Sequence, residues 1–168
     1  LQGNRTMMLE VQALTSPSSG PAPRRVGNGV DYNRLLMLAA VGSRRGNLRL
    51  SEQDIIVNVA GGFRIDEPAA DLPIVMAMAS SLCNRPLRFD VAAFGEVGLS
   101  GEVRPTPQAQ RRVQEASRLG FSKCILPAAN QDQIDPPPGM QLEFVESINE
   151  SMRIALGNPE RLSDREHH

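Results

Sequence analysis

The apolar positions of this chain fall into two rhythms that alternate along its length. Runs of strand length, rich in aliphatic and β-branched residues, occupy residues 7–15 (MMLEVQALT), 54–60 (DIIVNVA), 91–97, 123–126 and 140–145. Between them apolar residues recur at helical spacing. Behind Asp31, an N-capping residue type, Leu35, Leu38 and Ala39 fall on one face. That helix should stop at Arg44, Arg45 and Gly46, with cations at its negative end and glycine as the terminator. A second helix is expected over 68–82, with Pro68 in its first turn. Pro73 removes a backbone donor there, so either the first turns kink or the helix begins later. Two further helices are expected over 107–119, stopped by Gly120, and over 147–156. Proline and serine crowd residues 16–23 into a loop, and Gly61-Gly62 breaks the second strand. The run 91–97 turns back through 101–104 as a hairpin. Alternating strands and helices give an α/β or α+β class, a mixed sheet with packed helices in one domain over 1–156. Residues 157–168 read as a flexible tail.

Composition narrows what such a domain can do. The 168 residues are enough to bury a core, and the 40% hydrophobic and 22% charged content is ordinary for a globular protein. There is no Trp and one Tyr, Tyr32, which leaves little for an aromatic platform that stacks single-stranded bases. The formal charge is −1, but it is unevenly spread. Residues 1–49 carry Arg5, Arg24, Arg25, Arg34, Arg44, Arg45 and Arg49 against Glu10 and Asp31, a balance of +5 offset by −6 in the remainder. A solvated surface accounts for the charge alone; an anion-binding face is the sharper reading. Of the 18 basic residues all but Lys123 are arginine, the side chain whose planar fork suits phosphate. Cys83 and Cys124 lack CxxC spacing and read as buried free thiols of a reducing compartment, with a disulfide between them left open. No apolar run approaches the ~20 residues of a membrane span and no signal peptide is visible, so the expectation is a cytoplasmic protein without a membrane partner. The start at Leu1 reads as that of a fragment. His167 and His168, whether native or a tag, are given no metal role.

Three segments, in order, resemble Lon-type proteolytic domains. Residues 95–105 (GEVGLSGEVRP) are similar to their GE-x-x-L-x-G-x-V-x-P hairpin. Residues 66–72 (DEPAADL) stand in the place of the DGPSAG nucleophile motif. Residues 112–127, from Arg112 through Gly120 to Pro127, are similar to the stretch that follows the catalytic lysine. A closer resemblance, over roughly residues 7–155, is to the Lon-like domain of the bacterial RadA (Sms) DNA-repair family, in which the nucleophile motif is rewritten in a similar way. It is carried further by residues 9–14 (LEVQAL), 24–26 (RRV), 32–35 (YNRL) and 54–62 (DIIVNVAGG).

The resemblance implies a Lon proteolytic-domain-like fold, of the ribosomal protein S5 domain 2-like type, without Lon chemistry. It puts Ala69 where the serine nucleophile stands, Gln110 where the lysine base stands, and Gly98 where a supporting threonine is usual. A methyl group cannot attack a carbonyl and an amide is not a base at neutral pH. Ser80 and Ser81, about 16 Å further along a helix, are too distant to substitute. Asp66, Glu67 and Asp71 gather at a helix start, where the helix dipole favours them without any catalytic role. By the same resemblance the domain binds double-stranded DNA and supports ring assembly as a homo-oligomer, most plausibly a hexamer. The expected contacts are phosphate contacts from Arg24, Arg25, Arg34 and Arg104, with Arg44 and Arg45 as further candidates, and no base readout. No cofactor or metal is expected in this domain. ATP, Mg and Zn belong to a RecA-like ATPase and a zinc finger outside the chain, where a full-length protein would work as an ATP-dependent DNA helicase or branch-migration ATPase, with a RecA-type recombinase as a possible partner. Two other readings stay open: a Lon-type serine peptidase with a displaced dyad, and a scaffold for protein partners that does not touch DNA.

Overall fold

The structure, a computed structural model, describes residues 8–157. It holds two three-stranded sheets, a short hairpin and four α-helices. The first sheet consists of β1 (Val11–Pro17), β2 (Arg25–Asn28) and β3 (Gln53–Val59), with β3 in the centre, antiparallel to β1 and parallel to β2. Helix α1 (Tyr32–Arg45) connects β2 to β3. Its N-cap is Asp31, whose carboxylate accepts the Arg34 N–H at 2.9 Å, and it stops at Gly46 with Arg44 and Arg45 in the last turn. Leu35 and Leu38 are fully buried on the expected face.

The second sheet is all parallel: β4 (Val91–Ala93), β7 (Lys123–Pro127) and β8 (Gln141–Val145), with β7 in the centre. Between β4 and β7 run the hairpin of β5 (Glu96–Val97) and β6 (Val103–Arg104) and helix α3 (Ala109–Arg118). Helix α4 (Ile148–Leu156) closes the chain, its N-cap Ser147 accepting from Glu150 N–H. Helix α2 (Asp71–Leu82) buries residues around its whole circumference, among them Leu72, Val75, Met78 and Ala79, as a central helix must. A second, smaller apolar cluster joins α3, through Ala109, Val113 and Ala116, to Ala69, Phe94 and Cys124.

Several boundaries differ from the expectation, each for a local reason. The first strand runs from Val11 to Pro17 rather than over 7–15. As an edge strand it tolerates Pro17, whose missing N–H would have pointed away from β3. β2, four residues long, carries no pattern of its own and is stabilised by pairing with β3. Helix α2 begins at Asp71 after a 3₁₀ turn, Pro68–Ala70, which places Pro73 in the first turn where an amide donor is not needed. The run 91–97 is two strands, because the chain at Gly95 leaves the sheet to bond α2: Gly95 N–H donates to Ala69 O and Leu72 N–H to Gly95 O. A Cβ at Gly95 would lie 2.7 Å from Val103 Cγ1. The helix expected over 107–119 spans Ala109–Arg118, and its N-cap Gln108 has φ +59°. Met7 and the tail residues beyond 157, including His167 and His168, lie outside the described residues.

Candidate functional site

Residues 66–72 and the start of α3 meet over the smaller core cluster. Ala69 is buried in the 3₁₀ turn and spends its carbonyl on Gly95 N–H, at 2.8 Å. Beside it is a cavity of about 80 Å³ lined by Ala69, Ala70, Ala92, Phe94, Ala116 and Cys124, with Glu67 and Arg112 also on its wall. Burial pushes the Cys124 thiol up to about 12, so it holds its proton and is a poor nucleophile. No disulfide joins Cys83 and Cys124. Arg112 reaches from α3 to Glu67 with two parallel bonds of 3.0 and 3.1 Å, donates to Pro107 O, and lies 5.9 Å from the centre of the Phe94 ring. Its guanidinium holds the Glu67 carboxyl below the usual carboxylate range.

Gln110 faces a different task. Its amide donates to Asp135 O at 3.0 Å and accepts Asp135 N–H at 2.7 Å, pairing with the backbone as a strand would. The serines further along α2 are similarly committed: Ser80 donates to Arg85 O, and Ser81 accepts both Thr15 N–H and the Thr15 hydroxyl. Gly98 donates its N–H to Glu102 O inside the hairpin turn. Gln110, Ser80 and Ser81 are thus each committed to a hydrogen bond within the fold, whereas the buried Thr106 hydroxyl has no hydrogen-bond partner among the described residues.

The arginines divide by partner. Arg34 donates Nε to Asp71 Oδ1 at 2.8 Å and Nη2 to Asp71 Oδ2, with Glu96 at 3.9 Å. The bond to Asp71 raises the Arg34 pKa above its ordinary value. Asp71, almost fully buried, also accepts Val97 N–H at 3.0 Å, so one carboxylate ties α1, α2 and β5 together. Arg25 donates Nη1 to Gln53 O and Nη2 to Leu50 O, which fixes the start of β2 against the turn before β3. Arg104 is exposed and 3.5 Å from Glu102. Arg24, Arg44 and Arg45 are exposed and have no carboxylate partner among the described residues.

Arg49 joins this last group, exposed and without a carboxylate partner among the described residues. It belongs to the basic segment 1–49, where its residue type alone assigns it no role. The alternation of Leu48 and Leu50, both buried, with Arg49 between them is the signal that turns it outward. These four exposed arginines share one end of the molecule. The Arg25 bonds bring Arg24 beside the turn that follows Arg49, and Arg44 and Arg45 end the helix leading into it. The hairpin turn packs on the same place: a Cβ on Gly101 would lie 2.9 Å from Arg45 Cβ, and Asn149 donates to Arg45 O. Acidic groups at this end are already engaged in part, since Asp54 accepts Arg24 N–H at 2.7 Å. The six arginines expected as phosphate contacts are therefore not one patch: Arg25 and Arg34 are bound internally, Arg24, Arg44 and Arg45 line the exposed end, and Arg104 stands on the hairpin opposite Glu96. Among the described residues no three His, Cys, Asp or Glu side chains gather as a metal site, and no helix is long and apolar enough to cross a membrane.

Comparison with known proteins places this geometry. The family model for the Lon protease (S16) C-terminal proteolytic domain matches residues 39–158. Among relatives, the chain is 45% identical over 153 residues to the DNA repair protein RadA of Salmonella typhimurium, covering 91% of this chain and 33% of that protein. It is 44% identical over 157 residues to the RadA of Bacillus subtilis, covering 94% and 34%, and 46% identical over 151 residues to that of Pseudomonas aeruginosa, covering 90% and 33%. The chain thus spans about a third of the length of the relatives it matches.

Proposed function

The chain belongs to the Lon C-terminal proteolytic-domain family, in the form found in RadA-type DNA repair proteins, and from that membership we propose that it is a non-catalytic member that grips duplex DNA by its phosphates and supports ring assembly. The observation that carries the reading is the division among the arginines. Arg34, Arg64, Arg88, Arg112 and Arg118 each have a carboxylate within hydrogen-bond distance, whereas Arg24, Arg44, Arg45 and Arg49 stand exposed together at one end without one among the described residues, a state that Arg153 shares singly on α4. Phosphates supply the missing anions. Arg104 adds to the rim by exchanging its long contact with Glu102 for a phosphate oxygen. Arg25 and Arg34 act through the fold, holding β2 and the hairpin in place.

Nothing on this end reads base edges as a recognition helix would, so the binding is to backbone and its affinity falls steeply with salt. A few phosphate contacts per domain are weak alone, and a ring of copies around one duplex multiplies them. The outer face of the first sheet, where Leu14, Ile56 and Val26 stand directly opposite one another and exposed, is suited to contact between copies. The ATP-driven work of a RadA-type protein belongs, in this reading, to the part of the polypeptide outside the chain. The test is retention of a short duplex at low salt. Arg44→Gln/Arg45→Gln/Arg49→Gln should weaken it roughly tenfold or more, because each lost contact removes a released counterion. Arg64→Gln/Arg118→Gln, which removes exposed but already paired arginines, should leave it unchanged. Equal losses in both variants would contradict the assignment of the end, and no retention by the unaltered chain would favour a scaffold that does not touch DNA.

A further inference from the structure

We infer that the β5–β6 hairpin is an apolar wedge for duplex DNA, with Leu99 at its tip pressing into the base stack while the neighbouring arginines hold the phosphates. The inference rests on the DNA-binding reading above and adds what the bound domain does to the duplex. The base of the hairpin is fixed in the core: Val97 and Val103 pair across it and are both buried. Two residues on from Val97, Leu99 is 69% exposed. A single surface leucine is ordinary in itself. What distinguishes this one is the rigidity of its support and the charge around it.

The turn is closed by Gly98 N–H to Glu102 O at 2.9 Å, Gly101 N–H to Gly98 O at 3.0 Å and Ser100 N–H to the Glu102 carboxylate at 3.0 Å. It is docked from outside by Ile148 N–H to Gly101 O and Val103 N–H to Glu146 O, each 2.9 Å. The backbone beneath Leu99 on such a frame has little conformational freedom left to lose, so insertion costs only the ordering of the leucine side chain. Arg45 emerges from beneath the turn, where its Cβ meets Gly101, and Arg104 stands at the other strand of the hairpin. The one carboxylate inside the turn, Glu102, is drawn into it by Ser100 N–H and Arg104. Glu146, at the docking point, is exposed and would have to stay clear of the phosphates. An apolar wedge flanked by arginines is the arrangement by which proteins unstack a base step and bend the duplex around it.

The experiment uses the whole chain and a short duplex carrying 2-aminopurine at its centre, whose fluorescence rises when its neighbours unstack. The unaltered chain in excess should raise the signal about twofold or more. Leu99→Ala, an exposed change that leaves the core alone, should bind the duplex within about twofold of the original affinity yet lose the rise, and Leu99→Phe should keep it. Binding by the unaltered chain without any rise, or an undiminished rise with Leu99→Ala, overturns the wedge and leaves phosphate binding standing. A duplex left unbound at low salt overturns both.

Discussion

Asp71 takes three hydrogen bonds from two elements while almost wholly shielded from water. Removing it leaves the Val97 amide and the Arg34 guanidinium without their acceptor, and Asp71→Ala should cost about 3 kcal/mol, the low end for a broken buried pair because Arg34 is partly solvated. Urea unfolding measures it, and a loss under about 1 kcal/mol would mark the pair as surface-like. It follows that reversing Arg34 should destabilise the fold as well as alter charge, so it is a poor probe of DNA contact. Glu67 makes the complementary point about pH. Arg112 lowers its folded-state pKa, so the stability it adds is complete above the ordinary carboxylate value of about 4.3 and is lost as pH falls through the lower, folded value. Arg112→Met should flatten that acid limb relative to the parent, read as the difference between their unfolding free energies from about pH 6 downward. Parallel curves would show that the pair contributes nothing. At Gln110 the sequence gives the side chain, and the structure shows its amide paired with the Asp135 backbone.

At the scale of elements, the hairpin is the most constrained piece. Gly101 has φ +80° and lies against Arg45, so Gly101→Ala is strained in its backbone and crowded in its side chain, and should destabilise by more than about 1 kcal/mol in thermal or urea unfolding. A neutral result would mean that the turn relaxes freely and is no rigid support for Leu99. Helices α1, α3 and α4 were legible because their caps and spacing are local: Asp31, Gly46, Gly120 and Ser147 are visible in the chain without any partner. β2 was not, since its four residues owe their extended form to β3 alone. The split at Gly95 was equally hidden, because the group that draws the chain out of the sheet, Ala69 O, lies 26 residues away. The same logic separates the arginines. Residue type and charge balance point to residues 1–49, but the partners that occupy Arg25 and Arg34 lie 25 to 37 positions downstream, where no pattern reveals them.

For the whole molecule, the fold places a cleft walled in part by Glu67 and Arg112 beside α3, and exposed arginines without a carboxylate partner among the described residues where α1, the turn before β3 and the hairpin converge. The scaffold is that of the family; in the proposed function the exposed arginines hold a polyanion on it. The salt dependence of duplex affinity tests this most directly, recorded for the chain and for Arg24→Gln/Arg44→Gln/Arg45→Gln/Arg49→Gln over a tenfold range of salt. Each phosphate contact contributes about 0.9 to the slope of log affinity against log salt, so the four substitutions should lower its magnitude by about 3 to 4. A slope unchanged by removal of all four would contradict the account, because the phosphates would then be held elsewhere on the molecule.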